Sequence, residues 1–196
     1  MCGRYYVDTG ADDPEIRRII DEVNEKYQNT PQLAEMKTGE IFPADTAAVL
    51  TGVQPVLMKW GFSRFDLKDR IINARAETLR EKPMFQKLFE RNRCLVPASW
   101  YFEWEKAGGV KRKYAIGAGK TIYLAGLYRL EQTQGVPVYV IITKPAAENI
   151  AFIHDRMPAV IGEDLRERWL GGGKIDPAEL FENAVEMRFR LADPVA

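Results

Sequence analysis

Apolar positions along the chain follow two periods. Ile16, Ile19, Ile20, Val23 and Tyr27 recur at helical spacing, and Asp12-Asp13-Pro14 before them supplies a cap and a helix-starting proline. The pattern predicts a second helix over Thr78 to Arg91, interrupted at Pro83, with Phe85, Leu88 and Phe89 facing inward. Shorter helices are expected over Ala146 to Ile153, Asp164 to Leu170 and Pro177 to Asn183. Elsewhere β-branched and aromatic residues dominate. Strands are expected at Thr46–Leu50 and Pro55–Trp60, joined across Thr51-Gly52, and at Cys94–Trp104, Lys113–Ile116, Thr121–Leu130 and Val136–Thr143. Ala159–Ile161 and Val185–Leu191 read as two more. Gly108-Gly109 and Gly117–Gly119 mark turns, and the polar stretch Asn29 to Gly39 reads as a loop. No repeat, low-complexity run or linker interrupts this order. The expectation is a single α+β domain over residues 1–196, with a mainly antiparallel, barrel-like sheet flanked by short helices.

Composition sharpens that picture. The chain has 196 residues, 46% of them hydrophobic and 29% charged, which excludes a disordered, collagenous or coiled-coil chain. The longest uncharged stretch, Thr46 to Met58, is 13 residues long and contains Gly52 and Pro55, too short and broken to cross a bilayer. No secretory signal pattern opens the sequence, so a cytoplasmic setting is expected. Two cysteines and one histidine, without metal-ligand spacing, give no disulfide framework and no metal site, and no cofactor is expected. Nothing in the sequence signals oligomerisation, so a monomer is expected.

The 28 basic and 28 acidic side chains cancel, but unevenly. Residues 1–58 hold 5 basic and 10 acidic, residues 59–129 hold 16 and 7, and residues 130–196 hold 7 and 11. Aromatic residues, among them Trp60, Phe65, Phe85, Trp100, Phe102 and Trp104, are interleaved with the cations of the middle third. Phosphates need cations and unpaired bases need flat apolar partners, so the mixture suits a nucleic-acid groove. A solvated face whose acidic partners come from the flanks accounts for the same charge pattern.

Cys2 carries the most distinctive chemistry. Cysteine is small enough that Met1 is expected to be removed, leaving an α-amine beside a thiol. Amines and thiols of this kind titrate at about 7.7–8.0 and about 8.5, so both have reactive fractions near neutrality. The amine can act as base to its own side chain or condense with an aldehyde. The thiol can then add to the imine and close a five-membered thiazolidine. Gly3 permits close approach and Arg4 offers a fork for phosphate. Asn73, after Ile71-Ile72, lies near a strand end, as either a turn residue or a group that fixes another side chain. Glu103, inside Trp100-Tyr101-Phe102-Glu103-Trp104, is either an outward strand position or a desolvated general acid. His154, the single histidine, falls at an expected helix end that would favour its charged form.

Together these segments resemble the SOS response-associated peptidase (SRAP) family of abasic-site processing proteins. The resemblance rests on Met1-Cys2-Gly3-Arg4-Tyr5, Trp60-Gly61, Asn73-Ala74-Arg75-Ala76-Glu77-Thr78, Cys94-Leu95-Val96-Pro97-Ala98, Phe102-Glu103-Trp104 and His154-Asp155-Arg156-Met157-Pro158, in family order. Two segments depart from it: Trp100 stands where the family usually has glycine, and Glu40 to Asp45 only loosely matches an Asn-x-Ala-Pro turn. The resemblance implies crosslinking of Cys2 to the ring-opened abasic sugar in single-stranded DNA, which would shield the lesion, with self-processing or an aminopeptidase exposing Cys2. It also implies that Asn73 orients Cys2, that Glu103 and His154 move protons, that Arg4, Arg75 and Arg156 lie near the DNA backbone, and that Trp60 and Trp104 offer stacking surfaces. Two other classes remain open on the residues alone: an N-terminal-nucleophile amidohydrolase using the Cys2 thiolate, and a non-catalytic reader of modified DNA. A basic-faced protein without chemistry is a third.

Overall fold

Alternating apolar side chains build most of the molecule from strands. The computed structural model describes residues 2–10, 13–52, 54–64, 69–107, 110–131, 135–182 and 185–192. In chain order the strands are β1 (Tyr5–Val7), β2 (Gly39–Ile41), β3 (Thr46–Thr51), β4 (Gln54–Trp60), β5 (Asn73–Arg75) and β6 (Arg93–Ala98). β7 (Trp100–Ala107), β8 (Val110–Gly117), β9 (Ile122–Arg129), β10 (Val138–Pro145), β11 (Arg156–Pro158) and β12 (Arg188–Leu191) follow. The helices are α1 (Pro14–Lys26), α2 (Pro31–Ala34), α3 (Pro83–Arg91), α4 (Glu163–Leu170) and α5 (Glu179–Glu182). This is a mixed α+β fold with two antiparallel-rich sheets and a few short helices.

The first sheet runs β12-β8-β7-β1-β2, antiparallel throughout. The second curls into a barrel-like wall, β11-β10-β4-β3-β6-β9, in which β10 also pairs with β9 and, in parallel, with β5. Its seams are short. β3 meets β6 in register only at Leu50↔Leu95, and β4 meets β10 at Val138↔Lys59 and Tyr139↔Trp60, so the wall stops short of a full barrel. β6 and β10 are buried almost end to end, as expected of strands covered on both faces.

Helix α1 forms as the pattern predicts. The Asp13 carboxylate accepts the Ile16 N–H at 3.2 Å, Pro14 opens the first turn, and Ile16, Ile19, Ile20 and Val23 are buried against β3 and β4. Each such side chain removed from water stabilises the fold by about 1.5–3 kcal/mol. Asp12, part of the expected cap, lies outside the described residues, as do Phe65, Gly108 and Gly109.

Several expectations are corrected. Pro83 starts α3 rather than interrupting a longer helix, and only a 3₁₀ turn, Ala76–Thr78, precedes it. Proline lacks the N–H an interior position needs but fits the first turn, where that donor would have no helical partner. The expected strand Cys94–Trp104 is two strands in different sheets. The chain changes sheet at Ser99, whose N–H donates to the Tyr6 carbonyl oxygen at 2.8 Å. The expected helix before His154 is reduced to the 3₁₀ turn Glu148–Ile150, so no helix end of appreciable dipole faces the histidine. The strand expected at Ala159–Ile161 is displaced to β11, leaving an isolated bridge, Leu124↔Val160. The polar stretch after α1 contains the short helix α2. Asn183, the expected end of the last helix, lies outside the described residues.

Candidate active site

The site lies where the start of the chain enters between the two sheets. Strand β1 pairs with β7 through Tyr5↔Tyr101, and the ladder continues outward as Phe102 N–H donates to the Arg4 carbonyl oxygen at 2.9 Å. Cys2 therefore lies just beyond the end of β1, beside β7 of the first sheet. The second sheet holds it from the other side: Asn73 Nδ2, at the start of β5, donates to the Cys2 carbonyl oxygen at 2.8 Å. That bond assigns the amide orientation, because only the nitrogen can donate. Asn73 is itself placed by its neighbours. β5 pairs in parallel with β10 through Ile141↔Asn73, and the preceding carbonyl, Ile72, accepts the indole N–H of Trp60 at 3.0 Å.

Cys2 is fully buried, and its thiol donates to the Arg4 carbonyl oxygen at 3.8 Å. Burial pushes the thiol well above the ordinary range, and Glu103 adds to that push when its carboxyl is ionised. In this closed arrangement the sulfur is a neutral thiol. Met1, whose removal would free the Cys2 amine, lies outside the described residues.

Glu103 is buried at 3% exposure on the inner face of β7, which excludes the outward strand position. Burial is the largest effect on its carboxyl and raises it. The outcome is a carboxyl that holds its proton to higher pH than a solvated glutamate, within electrostatic reach of both Cys2 and His154.

His154 lies in the segment leading into β11. Its Nδ1 accepts the backbone N–H of Arg156 at 3.0 Å and also lies 2.8 Å from an Asp155 carboxylate oxygen. The two contacts require opposite protonation at Nδ1. The backbone N–H can only donate, and the Asp155 side chain is 86% exposed, so the backbone bond sets the neutral ring with its proton on Nε2.

The floor beneath these groups is aromatic and buried. Tyr5 and Tyr139 share a hydroxyl–hydroxyl hydrogen bond of 2.6 Å, and the Trp60 ring lies 5.3 Å from Tyr5 and nearly parallel to Tyr139 at 6.3 Å. Trp60 has no exposed surface, so it is corrected from a stacking surface for a base to the support of Asn73. Gly61 after it adopts φ +107°, and a Cβ there would meet Arg70 Cβ at 2.9 Å, so only glycine fits the turn.

The expected DNA-contacting residues separate into three situations. Arg4 is 38% exposed at its side chain, with its guanidinium 4.5 Å from the Phe42 ring centre and 5.0 Å from that of Trp104, and it pairs with Glu40 at 3.2 Å. Trp104 is half-buried beside it, and Arg75 is exposed. Arg156 is committed inward. It grips the Glu77 carboxylate with two nitrogens and donates to the Thr143 carbonyl oxygen at 2.8 Å, so it braces the 3₁₀ turn against β10. Its side chain is only 12% exposed. The sequence reading did not foresee that brace, nor the Tyr5–Tyr139 floor; the only sequence signal for either was proximity to a motif.

The α+β fold brings Cys2 together with the Asn73 amide and the buried Glu103 carboxyl, with His154 within electrostatic reach of that carboxyl. Residues 1–191 match the family described as SOS response associated peptidase (SRAP), and the chain belongs to it. It is 31% identical over 199 residues to the abasic site processing protein YoqW of Bacillus subtilis (strain 168), covering 90% of this chain and 83% of that protein. It is also similar to the abasic site processing protein YedK of Escherichia coli (strain K12), 32% identical over 117 residues, or 57% of this chain and 52% of that protein. A crystal structure of a Bacteroides thetaiotaomicron protein shares the fold, with a TM-score of 0.73 and 23% identity over 97% of this chain and 91% of that one.

Proposed function

We propose that this protein processes abasic sites in single-stranded DNA by covalent capture through Cys2. The observation that carries the reading is the seating of Cys2: its carbonyl is fixed by Asn73, a buried carboxyl lies within electrostatic reach, and a histidine lies within reach of that carboxyl. With Met1 removed, the Cys2 amine adds to the aldehyde of the ring-opened sugar and forms a carbinolamine. Loss of water gives an imine, and protonated Glu103 supplies the proton that turns the hydroxyl into a leaving group. The thiol then adds to the imine carbon while the nitrogen takes up a proton, closing a thiazolidine. The net change is loss of one water from protein plus DNA. His154, a neutral ring with a donating Nε2, carries protons between the nitrogen and solvent in the formation and reversal steps. The crosslink shields the lesion from strand cleavage.

DNA would be held chiefly through its phosphates, by Arg4 and Arg75, with Trp104 offering a ring face. An abasic position in a single strand exposes its sugar without unpairing or unstacking a base. Among the described residues no helix is long and apolar enough to cross a membrane. The test is a denaturing gel of purified protein with single-stranded DNA carrying one abasic site. Wild type should give a heat-stable adduct and Cys2→Ala none; adduct formation by Cys2→Ala at the wild-type level would overturn the mechanism.

A further inference from the structure

The face of β7 opposite Glu103 carries three rings two residues apart, Trp100, Phe102 and Trp104, and each has a cation held over it. Arg190 lies 5.4 Å from the Trp100 ring centre, and Lys113 lies 3.8 Å from that of Phe102. Lys111 and Arg4 lie 5.1 Å and 5.0 Å from that of Trp104. Acidic compensation is sparse: Arg4 and Lys113 share one carboxylate oxygen of Glu40, and Lys111 and Arg190 have no ion pair among the described residues. A ring beneath a cation shields one side of it and restricts its motion. Lys111 and Arg190 are exposed, whereas Lys113 is 14% exposed and donates to Glu40 at 2.8 Å. Residues two apart on a strand lie roughly 6.6 Å apart, comparable to the phosphate repeat of an extended single strand. The row begins at Trp104, beside Arg4, and runs about 13 Å along the strand to Trp100.

At its far end the row opens into a cavity of 340 Å³ lined by the rings of Trp100 and Phe189, by the cations Arg188, Arg190 and Lys120, and by the carboxylates Asp8 and Asp13. The floor there is low because Gly117 faces Trp100; a Cβ on Gly117 would lie 3.2 Å from Trp100 Cβ and 2.8 Å from the Ser99 carbonyl oxygen. The indole N–H of Trp100 is out of solvent, with no hydrogen-bond partner among the described residues. Tyr6 stacks on the Trp100 ring at 4.6 Å and fixes its plane.

We propose that this outer face of β7 is a track for the single strand leaving the lesion, on which Lys111 and Arg190 hold phosphates and the cavity beside Trp100 receives an unpaired base. The inference rests on the DNA reading above and adds to it a direction and a residue, Trp100, that stands where the family usually has glycine. Its test uses full-length protein and lesion-free single-stranded oligonucleotides, so that binding is read without crosslinking. Arg190→Ala and Lys111→Ala should each weaken binding of a 15-nucleotide strand several-fold and flatten the slope of log affinity against log salt by about 0.7. Trp100→Gly should weaken it about tenfold, and none of the three should alter binding of a strand too short to leave the site. Circular dichroism monitors folding of Trp100→Gly, and the two surface variants do not depend on it. If wild type binds the long strand and all three variants match it in affinity and salt slope, the track is wrong while the proposed function stands. If wild type binds no single-stranded DNA, the DNA reading itself fails.

Discussion

The two faces of β7 hold the same strand to opposite tasks. Its inner face buries Tyr101 and Glu103 beside Cys2, where low polarity raises the carboxyl and the thiol. Its outer face carries Trp100, Phe102 and Trp104 beneath Arg190, Lys113, Lys111 and Arg4, of which Lys111 and Arg190 are exposed to solvent and polyanions. Chemistry needs perturbed protonation and therefore burial; strand binding needs charge and therefore exposure. Alternation along one strand supplies both within a few ångströms, with the peptide plane as the partition.

That division can be broken first on the inner face. Glu103→Gln keeps the shape but removes the proton donor, and it should slow adduct formation by about 10²–10⁴-fold while single-stranded DNA affinity changes less than about twofold. Loss of DNA affinity with an unchanged rate at saturating DNA would move Glu103 to the binding side of the comparison. The pH dependence sharpens the point. Glu103 is raised, chiefly by burial, so its acid form persists above the ordinary carboxyl range. The dehydration step should then fall away as pH rises through that raised value, and Glu103→Gln should lose this limb of the profile. A wild-type rate that is flat across this range, or a limb retained in the variant, would contradict the acid role.

A smaller effect is expected on the outer face. Trp104→Ala removes a ring and the seat of three cations, and should weaken single-stranded DNA binding by roughly 1–3 kcal/mol, about 5- to 150-fold, without altering the pH profile of adduct formation. A shift in that profile would show that the two faces communicate.

The smallest effect concerns Arg156, the cation turned inward. Its pairing lowers the Glu77 carboxyl, so the stability it provides is present above the unfolded carboxyl pKa and is lost as pH falls through the lower folded value. Both groups border solvent, which limits the pair to about 1 kcal/mol. Glu77→Gln should therefore lower Tm by about 2–4 °C at neutral pH and by less in acid. An equal loss at both pH values would point to packing instead.

Much of this was legible in the sequence, and the omissions have physical causes. Helix α1 was legible because its cap, its proline and its apolar face agree. The hairpin β3–β4 was legible because Thr51-Gly52 breaks two apolar runs. The corner at Ser99 was not, because an uninterrupted apolar run, Cys94 to Trp104, looks alike whether it stays in one sheet or changes to another. Glu103 was ambiguous for a related reason: by hydropathy its aromatic neighbours belong inside, and the fold places the carboxyl inside and those rings against cations. Trp60 and Arg156 show the limit of reading roles from motifs. A motif tryptophan can be a support rather than a platform, and a motif arginine can brace its own fold. Which is true depends on burial and partners that only the tertiary structure supplies.

The central claim is that Cys2, freed of Met1, is the group that captures the lesion. Intact-mass measurement after incubation with single-stranded DNA carrying one abasic site tests it most directly. The account predicts a species equal to the protein without Met1, plus the oligonucleotide, minus one water, with the linkage mapped to residue 2 and absent in Cys2→Ala. An adduct that retains Met1, maps to a lysine or persists undiminished in Cys2→Ala would contradict it.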